Sequence, residues 1–107
     1  MAYNVLDWGP KEYPLIYRKS ENVVERRIRG EHVLVPIMGS LEQLDSIYTL
    51  NETAGQVFTR AAVGAELPDI ARELVALYHV IPAQAQEDVE RVVRDLVHIG
   101  ALVEAAP

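Results

Sequence analysis

The chain has 107 residues, half of them hydrophobic, so it is one domain with enough apolar material for a modest core. Its formal charge is −6 and it has no cysteine, which excludes a disulfide scaffold, a thiolate metal site, an iron–sulfur cluster and a cysteine nucleophile. The acid is concentrated late: residues 1–50 hold six basic and seven acidic residues, residues 51–107 four and nine, the reverse of a nucleic-acid binder's basic patch.

Residues 1–20 read as irregular, because Pro10 and Pro14 interrupt any helix. They nevertheless hold Tyr3, Trp8, Tyr13 and Tyr17. Disordered tails are aromatic-poor, so this segment is expected to dock as an N-terminal arm on its own domain, on a partner or on a second protomer. The arm (1–20) is set apart from a domain over 21–107. Met1-Ala2-Tyr3-Asn4 lacks the basic and apolar regions of a secretory signal, and no apolar run approaches a membrane span. A cytoplasmic location without membrane contact is expected.

Val23 to Arg29 and Glu31 to Ile37 flank Gly30, and short β-branched runs around a glycine predict a β-hairpin. Pro36 cannot donate to a ladder and marks a strand end or an edge. Met38 to Ser46 is a polar loop, and Ile47-Tyr48-Thr49-Leu50 is a third β-type run. The period then switches to 3.6. A first helix begins near Asn51, through either an Asn51 N-cap or a Thr49-x-x-Glu52 capping box. Ala54, Val57, Phe58 and Ala61 form its apolar face, and Gly64 ends it. A second helix opens at Leu67-Pro68-Asp69 with a predicted stripe of Leu67, Ile70, Leu74 and Leu77. A third runs from Pro82 to Ile99, turns Ala85, Val89, Val92, Val93, Leu96 and Val97 inward, and stops at Gly100. Leu102 and Val103 tuck back under the domain. The predicted fold class is α+β: a small three-stranded antiparallel sheet followed by a three-helix bundle, winged helix-turn-helix-like.

Catalytic patterns are missing. His32, His79 and His98 show no metal spacing and read as surface or half-buried residues. No phosphate loop and no nucleophile elbow occurs. A chain that is not an enzyme and carries no cofactor and no metal is expected.

Leu50-Asn51-Glu52-Thr53-Ala54-Gly55 resembles the Leu-Asn-Glu-Thr-Gly/Ala signature of the PqqD-like family. Val57-Phe58, Ile70-Ala71-Arg72-Glu73-Leu74, Tyr78-His79-Val80 and Asp88-Val89 match its later pieces in order. Its Gly-Leu-Ile/Val ending reads Gly100-Ala101-Leu102-Val103, with one residue inserted. The resemblance covers residues 22–103. The arm, the long 38–46 loop and the glycine shifted to Gly55 depart from the pattern.

The resemblance implies a non-enzymatic peptide chaperone. Such a recognition element binds the leader of a ribosomally made, post-translationally modified precursor. It presents the precursor to a modifying enzyme such as a radical SAM maturase in natural product biosynthesis. In the family the leader adds as a strand to the third β-strand, in a cleft walled by the third helix. Carried onto this chain, the leader-peptide-binding residues are Ile47, Tyr48, Thr49 and Leu50 at the edge, with Glu90, Arg91, Val93, Arg94 and Val97 on the helix. The run 47–50 has no proline or lysine to blunt an edge, and Arg91 or Arg94 suits a leader carboxylate. An exposed edge is also compatible with a homodimer, with the arm exchanged. The alternative is a winged-helix DNA-binding transcription regulator reading a major groove with the third helix. Residues 82–100 oppose it, since Arg91 and Arg94 face Glu87, Asp88, Glu90 and Asp95.

Overall fold

The computed structural model describes residues 16–37 and 47–105. The element order is β1 (Tyr17–Lys19), β2 (Val23–Ile28), β3 (Glu31–Pro36), β4 (Tyr48–Leu50), α1 (Glu52–Ala62), α2 (Leu67–Tyr78), α3 (Pro82–His98) and β5 (Leu102–Glu104). The predicted α+β fold is present as an antiparallel sheet β2-β3-β4 followed by three helices. Among the described residues, no helix is long and apolar enough to cross a membrane.

The hairpin forms where the β-branched runs meet Arg29-Gly30. Both turn residues have positive φ, 55° and 82°, the pattern of a tight two-residue hairpin turn. The ladder runs from Val23↔Pro36 to Ile28↔Glu31, and β4 then pairs as Leu34↔Tyr48, Val33↔Thr49 and His32↔Leu50.

At α1 the Asn51 side chain accepts from the Ala54 N–H at 2.8 Å, which decides for the Asn51 cap. Such a cap contributes about 1 kcal/mol. Gly64 at φ 90° and Gly100 at φ 84° follow α1 and α3 in the left-handed region. Phe58, Leu34, Ile70, Leu74 and Leu102 fill the centre of the core. Arg60 Nε reaches the Glu73 carboxylate at 3.0 and 3.1 Å, tying α1 to α2.

Four expectations are corrected. Tyr17–Lys19, inside the segment predicted irregular, is a strand paired with Leu102–Glu104, and the Ser20 N–H extends the contact to the Ala101 carbonyl at 2.9 Å. Tyr17 packs against the core, while residues 1–15 of the arm, with Tyr3, Trp8 and Tyr13, lie outside the described residues. Leu77 is 54% exposed. The contact face of α2 is Leu67, Ile70, Ala71, Leu74, Val75 and Tyr78, a run of i, i+3, i+4 steps that leaves Leu77 beside it. Val97 is 40% exposed because the buried α3 stripe is Ala85, Val89, Val92, Val93 and Leu96, with Val97 at its margin. His32 is buried rather than at the surface.

Candidate functional site

Among the described residues the sheet has two unpaired edges, and they are chemically unequal. The Ile37 N–H donates to the Asn22 carbonyl at 2.9 Å, which fixes the alternation of the ladder. Asn22, Val24, Arg26 and Ile28 therefore bond inward to β3, and Val23, Glu25 and Arg27 point their N–H and C=O groups away from it. Two of those outward carbonyls are taken: Lys19 Nζ donates to Val23 at 2.8 Å and Arg26 to Glu25 at 3.0 Å. The edge of β2 is thus blunted by side chains of its own neighbourhood.

On β3 the same alternation assigns His32 and Leu34 to β4. Tyr48 and Leu50 spend their backbone groups on those partners. Thr49, with Ile47 before it, turns its N–H and C=O to the free side. Ile47 is 57% exposed and Thr49 is exposed, while Tyr48 and Leu50 are half-buried against the core. The four expected edge residues thus divide by role: Ile47 and Thr49 offer hydrogen bonds, and Tyr48 and Leu50 anchor the strand.

The helix residues gather elsewhere. Glu90, Val93, Arg94 and Val97 line one groove of about 390 Å³, together with Tyr17, Leu67 and Glu104. No β4 residue lines it. Arg91 is not in the groove and pairs with Asp88 at 3.0 Å. Arg94 has no ion pair among the described residues. Sequence reading missed Tyr17, Leu67 and Glu104, which come from three elements with no shared spacing.

A second cavity, about 600 Å³, was not foreseen. It lies at the far end of β4, under the hairpin turn. Thr49, Leu50 and Asn51 line one side, Arg27 and Glu31 the other, and Glu52, Gln56, Thr59 and Tyr78 close the helical wall. His32 and Gly55 also line it. His32 Nε2 is hydrogen-bonded to the Glu25 carboxylate, which also accepts from Thr59 Oγ1 at 3.4 Å. The imidazole stands edge-on to Phe58, ring centres 6.2 Å apart. A Cβ on Gly55 would lie 2.6 Å from His32 Nδ1, so only glycine admits the ring here. The Tyr78 hydroxyl titrates above its ordinary range, through lost hydration and then through the Glu52 carboxylate it hydrogen-bonds.

The family described as "Coenzyme PQQ synthesis protein D (PqqD)" matches residues 31–102, from the first residue of β3 through the first residue of β5. The chain belongs to the PqqD family. The observed sheet and helices of this PqqD-family chain also match solved structures. One, "Lasso peptide synthetase B1 complexed with the leader peptide", is similar with a TM-score of 0.70 at 22% identity, covering 81% of this chain and 96% of that one. Another, "TbiB1 in Complex with the TbiA(beta) Leader Peptide", gives a TM-score of 0.68 at 20% identity, covering 84% and 99%. At such identities the likeness establishes the fold. No curated protein matches the sequence.

Proposed function

We propose that this PqqD-family chain is a non-enzymatic peptide chaperone. It binds the leader of a ribosomally made precursor as an added strand on β4 and presents it to a modifying enzyme, a radical SAM maturase or another of that role. The observation that carries the reading is the open β4 edge at Ile47 and Thr49, set against a β2 edge already occupied by Lys19 and Arg26. Family membership and the two leader-bound structures of like fold support it. The α3 groove supplies a second contact: Val93 and Val97 are its apolar floor, and Arg94, without an ion pair among the described residues, is placed to meet a leader carboxylate.

The test is fluorescence anisotropy with a labelled leader from a small precursor encoded beside this chain. Saturable binding that a DNA duplex does not compete supports the reading. Binding to the duplex with none to the leader would replace it with the transcription-regulator alternative.

A further inference from the structure

The hairpin-end cavity continues the open edge. Thr49 and Leu50 belong to both, so a peptide strand paired with Thr49 and running past Leu50 passes over its mouth. What the cavity suits follows from its donors and acceptors.

The His32 side chain is 6% exposed, and its Nε2 is engaged by the Glu25 carboxylate. Glu31 makes no ion pair among them, and the Glu52 carboxylate faces the Tyr78 hydroxyl. Arg27, exposed at the rim, is the one cation of the lining. The α1 N-terminus adds partial positive charge, and Glu52 in its first turn offsets it. Two carboxylates, Glu31 and Glu52, therefore stand against one guanidinium around a space of about 600 Å³. A guanidinium brings five donors and no acceptor, and its charge answers the two carboxylates.

We propose that this cavity is a subsite for an arginine side chain of the bound peptide, carried on the segment that follows the strand paired with β4. The proposal rests on the strand-addition reading and extends it to a second recognition point off the α3 groove.

The test uses N-acetyl-arginine amide as a probe, read by amide and histidine-ring chemical shifts. N-acetyl-citrulline amide and N-acetyl-glutamate amide serve as controls. Saturable shifts at His32, residues 49–52 and Tyr78 are expected for the arginine probe alone. In Glu52→Gln the probe binds about tenfold more weakly, the loss of one charge-assisted contact. No shift, an equal response to citrulline, or preference for glutamate would overturn the subsite. A leader that moves residues 47–50 while the probe leaves the cavity silent would remove the subsite and keep strand addition. A probe that binds while leaders leave residues 47–50 unmoved would remove the peptide as occupant, and the proposal with it.

Discussion

The Lys19 ammonium donates to the Val23 carbonyl at 2.8 Å, and this contact separates the two edges of the sheet. It links the last residue of β1 to the first residue of β2 and satisfies an acceptor that strand addition on that side would need. Arg26 does the same two residues later, at the Glu25 carbonyl. On the proposed reading, peptide pairing is left to β4.

Thr49→Pro tests that division. It removes an N–H aimed at the free side and spares every bond between β3 and β4. Leader affinity is expected to fall at least about tenfold, since one or two backbone hydrogen bonds at roughly 1 kcal/mol each are lost with the strand geometry. The melting temperature is expected to stay near wild type. Tyr48→Pro is the contrasting variant: its N–H faces Leu34, so it loses stability first. Calorimetric unfolding and a leader titration of both variants check the assignment.

Gly55→Ala is expected to destabilise, against the helix preference for alanine. Alanine gains about 1 kcal/mol in a helix interior, but its Cβ would sit 2.6 Å from His32 Nδ1. The ring is held by Glu25 and Phe58, so it yields only with strain of about 1–3 kcal/mol. In a His32→Ala background the same change becomes neutral or stabilising. Denaturant unfolding of the four proteins of this cycle measures the coupling.

Arg94→Glu is expected to weaken an acidic leader more than a neutral one. Arg94 lines the α3 groove with Glu90 and Glu104, so reversal leaves three carboxylates there. Paired titrations at low salt report it, and equal losses for both leaders would place Arg94 outside recognition.

Tyr78 gives a pH signature. Its hydroxyl is held above 10.0, so the folded chain keeps the proton after the unfolded chain has lost it. This contribution is whole below pH 10, the unfolded value, and is lost as pH rises through the folded one. Absorbance titration of the phenolates is expected to show a late tyrosine that is lost in Tyr78→Phe and moved earlier by Glu52→Gln.

The hairpin and helices were legible because each is written locally: β-branched runs broken at Gly30, a capping Asn51, terminal Gly64 and Gly100. The β1–β5 pair was not. Each strand has three residues, and Tyr17↔Glu104 joins positions at opposite ends of the chain, so no local period announces it. The edge run 47–50 was legible as a strand without proline or lysine. Which of its atoms face outward was not, because that depends on register with β3. Val93 and Val97 each fit both the inward stripe and the groove wall in the sequence; the helix margin separates them, with Val93 buried and Val97 40% exposed, and both line the groove. In the sequence Gly55 is only a shifted glycine; the requirement for it comes from the His32 ring packed against it.

The most direct measurement is an amide chemical-shift titration of the labelled chain with a neighbouring leader, followed by hydrogen exchange of the complex. Strand addition on β4 predicts large shifts at Ile47 and Thr49, slowed exchange of the Thr49 amide and smaller shifts along Glu90–Val97. Protection at Val23, Glu25 or Arg27 with Thr49 unchanged would contradict it.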